Sequence, residues 1–267
     1  MPEVVLAEGT LTSCTFLDDV EAVAVAVGSP VDGDDELQPR AGTVDASLLY
    51  GVDLAELAER ASFSGAAGTT HTIDLPRVHA GSAASLPWAG LPHRIVFVGV
   101  GRETTSDLRR AGAALARSTR GLGRVLTPLA ATPHAASTRA LVEGYLLGAY
   151  APVRLSADAS TDGPARELVL IGDGDQHALD SAVQSAWATW LVRDLATVPS
   201  NIKSPEWFAD RAVDLATAEG LTTTVLDVAA LEAQGFGGIL AVGRGSSRPP
   251  RLVTVTYAPA DGGSGQH

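Results

Sequence analysis

Apolar residues along this chain fall into short runs separated by stretches with helical spacing. Glu21–Gly28 (EAVAVAVG), His71–Leu75 (HTIDL), Arg94–Gly101 (RIVFVGVG), Arg124–Leu129 and Glu167–Ile171 (ELVLI) read as strands, the third apolar throughout after its first residue and ended by glycine. Between them, residues 45–63 carry Leu48, Leu49, Val52, Leu54, Leu57 and Ala58 at helical spacing, and residues 104–120 and 137–150 read as two further helices. Apolar strands about a helix apart predict an α/β layer with a largely buried sheet.

A longer helix should follow. Asp173-Gly174-Asp175-Gln176 has an acid three residues before a glutamine, as in a capping box. Leu179, Val183, Ala186, Trp187, Trp190, Leu191 and Leu195 then recur at helical spacing, so residues 173–198 predict a helix connecting two domains, with Pro199 ending it. After it, Ser204 can cap a helix whose first position is Pro205, with Gly220 as its stop. A strand over Thr222–Leu226, a short helix over Val228–Gln234, a glycine-rich stretch over Gly235–Gly245 and a strand over Arg251–Tyr257 complete the pattern. The glycines at 235, 237, 238, 243 and 245 suit tight turns. Residues 260–267 read as a polar linker. The expected division is 1–172, an α/β domain; 173–198, a linker helix; and 199–267, the beginning of a second domain too short to close a core of its own.

Composition narrows the function classes. Of 267 residues, 45% are hydrophobic and 19% charged, which is not the composition of a disordered chain. The net charge of −12 argues against a broad nucleic-acid footprint, which needs clustered Lys and Arg. One cysteine, Cys14, permits no internal disulfide and fits a reducing compartment. The start, Met1-Pro2-Glu3-Val4-Val5, lacks the basic region of a secretory leader, and no apolar run approaches the roughly 18 residues a membrane span needs. A soluble, cytoplasmic protein is expected. There is one lysine, Lys203, against 18 arginines.

Residue chemistry alone locates no active site. Gly99-Val100-Gly101 after a strand starts like a dinucleotide fingerprint, but position 104 is threonine, so a tight strand-to-helix turn is expected instead. His71, His79, His93, His134 and His177 are scattered, and His177 beside Asp173 and Asp175 reads as a helix start with acids at its positive end. Asp32-Gly33-Asp34-Asp35-Glu36 lacks the glycine and distant glutamate of a calcium loop. There is no Gly-x-Ser-x-Gly elbow, no cysteine cluster and no phosphate-binding Gly-x-x-x-x-Gly-Lys.

Residues 193–257 change this picture. Arg193-Asp194-Leu195, Pro199-Ser200-Asn201, Pro205-Glu206-Trp207 with Ala209, Leu231, Gly235-Phe236-Gly237-Gly238, Ala241-Val242-Gly243-Arg244-Gly245-Ser246, Pro249-Pro250-Arg251-Leu252 and Tyr257 stand in an order and spacing that resembles the lead-in to the catalytic domain of the leucyl (cytosol) aminopeptidases. The resemblance implies a macro-like, helix-flanked sheet domain, a long linker helix and the incomplete start of an α/β catalytic domain. It also implies two divalent ions, zinc, manganese or magnesium, held in the complete enzyme by a lysine, aspartates and a glutamate. One ion would hold the free amine of a peptide substrate, and both would activate water. Hexamers and cytoplasmic residence belong to the same expectation.

The family's Val-Gly-Lys-Gly strand and its Asn-Thr-Asp-Ala-Glu-Gly-Arg motif have no counterpart in these 267 residues. Ala241-Val242-Gly243-Arg244-Gly245 resembles that strand only superficially, with arginine in place of lysine and a place ahead of Tyr257, after which the family strand is expected, and Lys203 in the Pro-Ser-Asn segment maps to neither family lysine. No residue of this chain is therefore assigned as catalytic, cofactor-binding or metal-binding. Arg193 and Asp194 are expected to form ion pairs at the domain junction. Three readings stand at this point: the first part of an aminopeptidase, inactive by itself; a non-enzymatic regulatory or assembly relative; and a macro-like domain that binds a nucleotide-type small molecule.

Overall fold

A computed structural model describes residues 1–13, 17–30, 37–76, 86–128, 134–152 and 163–258. Cys14, His79, the acidic stretch 32–36 and the polar linker 260–267 lie outside the described residues. The chain divides into two compact units, Met1–Asp194 and Leu195–His267. The boundary falls inside the long helix expected at 173–198.

In the first unit the order is β1 (Glu3–Ala7), β2 (Ala22–Gly28), β3 (Gln38–Pro39), α1 (Ala41–Tyr50) and α2 (Leu54–Arg60), followed by β4 (Thr70–Asp74) and β5 (Arg94–Gly101). Then come α3 (Thr105–Ser118), β6 (Arg124–Thr127), α4 (Ala135–Gly148), β7 (Glu167–Ile171) and α5 (Gln176–Thr197). The sheet runs β1-β7-β6-β2-β5-β4, with β3 paired to β2. The pairs β1/β7, β7/β6, β6/β2 and β2/β5 are parallel. The edge strand β4 and the short β3 are antiparallel. The α/β fold class expected from the apolar runs is the one observed. β2 is buried at every position, as a strand covered on both faces must be.

Alternating side chains of β2 and β5 feed two cores. Val23, Val25, Val27, Ile95 and Phe97 pack under Ala46, Tyr50, Leu54 and Ala58 of α1 and α2. Ala24, Ala26, Val96, Val98 and Val100 pack under Leu108 and Leu115 of α3, Leu141 and Tyr145 of α4, and Leu179 of α5. The side chains facing α3 and α4 are small, and the two helices themselves touch closely. A Cβ on Gly112 would lie 2.2 Å from the Leu141 carbonyl oxygen, and one on Gly144 would lie 2.2 Å from the Arg109 carbonyl oxygen. Between these helices Glu143, only 8% exposed, accepts from Nε and Nη2 of Arg109 at 3.1 and 3.0 Å and from Nε of Arg139 at 2.7 Å. Burial pushes its carboxyl pKa up. The two guanidinium donors outweigh that and hold it below the ordinary value.

Three local expectations need correction. The helix expected over 45–63 is two helices. Gly51 takes a left-handed φ of 64° at the end of α1, and the Asp53 carboxylate accepts from the Ala55 and Glu56 amides to start α2. The long helix is capped by Asp175, whose carboxylate accepts from Ala178 N at 2.7 Å, and not by Asp173. The first strand, Glu3–Ala7, is not legible in the sequence, because five residues beside a chain end carry little periodicity. It is set by pairing residue for residue with β7.

The second unit holds α6 (Pro205–Ala218), β8 (Thr222–Leu226), α7 (Val228–Ala233), α8 (Gly237–Gly243) and β9 (Leu252–Thr256). Ser204 caps α6 at the Trp207 amide (3.1 Å), with Pro205 in the first helical position, as expected. β8 and β9 pair antiparallel as a two-stranded sheet, from Thr222 opposite Thr256 to Leu226 opposite Leu252. The glycine-rich stretch also needs correction. Of its glycines only Gly235 has a positive φ, 76°, while Gly237, Gly238 and Gly243 lie in α8. Gly243 is needed for closeness rather than for turning, since a Cβ there would meet Pro250 Cγ at 2.8 Å.

Candidate functional site

Donors on Lys203, Arg248 and Arg251 tie together the segments that carried the family resemblance. Lys203 Nζ donates to the Leu195 carbonyl at 3.0 Å, among the last carbonyls of α5. A cation there satisfies an acceptor that the helix leaves open and complements the helix dipole. Arg248 donates from Nη1 to the Ser200 carbonyl and from Nη2 to the Asn201 carbonyl, each at 2.7 Å. It thereby pins the Pro199-Ser200-Asn201 segment. Arg251 Nη2 lies 3.5 Å from the Glu206 carboxylate at the start of α6. The role of Arg248 is not legible in the sequence. The only signal for it is an arginine set between Ser247 and Pro249, and its partners are backbone carbonyls 47 and 48 positions away.

The junction residues Arg193 and Asp194 both work on Tyr150. The Arg193 guanidinium carbon lies 5.1 Å from the Tyr150 ring centroid, and its Nη1 donates to the Leu147 carbonyl at 3.1 Å. The Tyr150 hydroxyl donates to Asp194 at 3.0 Å. Trp190 meets the same ring edge-on, with centroids 5.1 Å apart, and its indole N–H donates to the Leu146 carbonyl.

Gly99 and Gly101 lie within the last residues of β5, and Gly101, with a φ of 55°, leads into the strand-to-helix turn. A Cβ on Gly99 would stand 2.1 Å from the Ala66 carbonyl oxygen, so only glycine lets that loop cross β5. Thr104, the residue that breaks the dinucleotide pattern, instead caps α3, in a capping box with Asp107. His71 lies on β4, His93 precedes β5, His134 stands at the start of α4 and His177 is in the first turn of α5. Among the described residues no group of three His, Cys, Asp or Glu side chains could hold a metal ion. Arg244 stands directly after α8 and is exposed.

Comparison with known proteins connects the two units to a single family. Residues 24–156 match the sequence model of the cytosol aminopeptidase family N-terminal domain, and residues 190–266 match that of the same family's catalytic domain. The chain belongs to the cytosol aminopeptidase family. A probable cytosol aminopeptidase of Rhodococcus opacus is 33% identical over 253 residues, covering 90% of this chain and 46% of that protein. One from Corynebacterium diphtheriae is 40% identical over 172 residues, covering 62% of this chain and 34% of that protein. The chain thus spans a third to a half of the length of these relatives. The structure of the bottromycin maturation enzyme BotP in complex with Mn is 28% identical with a TM-score of 0.66, covering 90% of this chain and 46% of that one. A tomato leucine aminopeptidase mutant, 19% identical with a TM-score of 0.74 over 96% of this chain and 50% of that one, shares the fold. No helix among the described residues is long and apolar enough to cross a membrane.

Proposed function

We propose that this chain is the N-terminal portion of a leucyl-type aminopeptidase that, when complete, removes N-terminal residues from peptides at a site holding two divalent ions. The observation that carries the reading is the succession of two matches, the family's N-terminal domain and then its catalytic domain, in a chain that covers 46% of the Rhodococcus opacus enzyme. Manganese in the BotP structure supports a divalent metal, with zinc and magnesium as alternatives. Cytoplasmic residence and a hexameric assembly belong to the same proposal. The net charge of −12 supports a peptide rather than a nucleic-acid partner.

The 267-residue chain by itself is proposed to be inactive. Supporting this, the described residues gather no metal-ligand set, and the family's Val-Gly-Lys-Gly and Asn-Thr-Asp-Ala-Glu-Gly-Arg motifs have no counterpart in the sequence. Incubating the pure chain with manganese and a leucyl anilide should release no leucine, and metal-dependent release would overturn the proposal. The intact mass of the protein from its source cells tests the rest. A mass well above 27.4 kDa supports the aminopeptidase reading, whereas a mass near 27.4 kDa replaces it with a non-enzymatic relative.

A further inference from the structure

β2 and β5 are adjacent parallel strands whose following helices leave in opposite directions. From β2 the chain passes to α1 and α2 over one face, and from β5 it passes to α3 over the other. Such a divergence opens a crevice at the carboxyl ends of the two strands, the place where open α/β sheets take ligands. The crevice here is a cavity of about 470 Å³, within the size range of small-molecule sites. Ala26 of β2, Val100 of β5 and Leu108 of α3 give it an apolar wall.

Its polar groups are concentrated and mostly cationic or donating, on a chain whose net charge is −12. Arg40, Arg102, His134 and Ser137 line it, and among the described residues Glu103 is its one acid. Arg40 is held in place, its Nε 2.5 Å from Glu103 and its guanidinium lying against Gly28 at the end of β2. A guanidinium with one N–H so used retains further donors. Glu103 is one of two described non-glycine residues with positive φ, 59°, so the turn that brings it to Arg40 is a constrained one. The first turns of α1 and α4 open on the same cavity, and neither has a side-chain cap, whereas Thr104, Asp175 and Ser204 cap α3, α5 and α6.

We infer that this crevice binds a small organic phosphate, its phosphate group between Arg40, Arg102 and Ser137 and its ring or carbon body against the wall of Ala26, Val100 and Leu108. Donors reach the cavity from α1, from the β5–α3 turn and from α4. A tetrahedral oxyanion offers acceptors in all of those directions, while a planar carboxylate does not.

Calorimetric titration of the full chain with AMP, with adenosine and with inorganic phosphate tests the inference. AMP should bind at millimolar concentration or below, more weakly as salt is raised, and more tightly than either adenosine or phosphate alone. Ser137→Glu places a carboxylate in the cavity at a first-turn position where it favours the helix, so the variant should melt no lower than the parent. Its affinity for AMP should fall about tenfold or more. Glu103→Gln removes a negative charge from the lining and should tighten binding. No heat with AMP, equal binding of adenosine and AMP, equal binding of phosphate and AMP, or unchanged affinity in Ser137→Glu would each overturn the site.

Discussion

At Gly99 a single methyl group would stand 2.1 Å from the Ala66 carbonyl oxygen and 2.4 Å from Thr69 Oγ1. The nearest obstacle is backbone in a loop bonded to the strand, so it cannot swing aside. Gly99→Ala should therefore cost about 3 kcal/mol in urea denaturation. The same exchange at Gly238, a helical position with open space around it, should leave stability unchanged or raise it by about 0.5 kcal/mol. Glu143 makes a pH prediction. Its folded pKa lies below the ordinary 4.5, because the donors on Arg139 and Arg109 outweigh desolvation. Its contribution is thus fully present above the unfolded value and is lost as pH falls through the lower folded one. Urea midpoints measured from neutral pH down to the acid range should drop more steeply for the parent than for Glu143→Gln. At the alkaline end, burial pushes the Tyr145 hydroxyl up to about 12, so stability should decline once pH exceeds the ordinary tyrosine value of 10.0.

Helix ends were the least legible elements. Asp173 and Asp175 are two residues apart at the start of one helix, and either could have capped it by pattern. The structure selects Asp175. Asp175→Ala should cost about 1 kcal/mol in thermal denaturation and Asp173→Ala close to nothing, and the reverse ranking would contradict the assignment. The break between α1 and α2 was hidden for a related reason. Leu48, Leu49, Val52, Leu54 and Leu57 keep an apolar helical spacing through Gly51, so periodicity reads through a stop that the left-handed glycine and the Asp53 cap enforce. In α8, glycine content suggests turns, but Gly237, Gly238 and Gly243 lie in a helix, and Gly243 lies close against the Pro250 ring.

Taken whole, the first unit has a sheet covered by helices on both faces, while the second has two paired strands with Val225 41%, Val255 47% and Tyr257 74% exposed. A two-stranded sheet is marginal in water. Amides of β8 and β9 should therefore exchange with deuterium much faster than those of β2 and β5 in the same chain. Slow exchange throughout β8 and β9 would contradict this. The exposed apolar strand face fits the proposal that further chain belongs to this unit in the complete enzyme.

The sequence by itself determined the α/β class, most of the strands that follow β1, the long helix and the family. Each of these rests on local periodicity or on an ordered set of short motifs, and neither needs long-range contacts to be read. The tertiary structure decided what depends on partners far apart in the chain. It paired Glu3–Ala7 with β7, put Arg248 on the carbonyls of Ser200 and Asn201, and set Glu143 between two arginines. The crevice at the ends of β2 and β5 is of the same kind. Its residues run from Ala26 to Ser137, no motif joins them, and they meet only because two adjacent strands send their helices to opposite faces of the sheet.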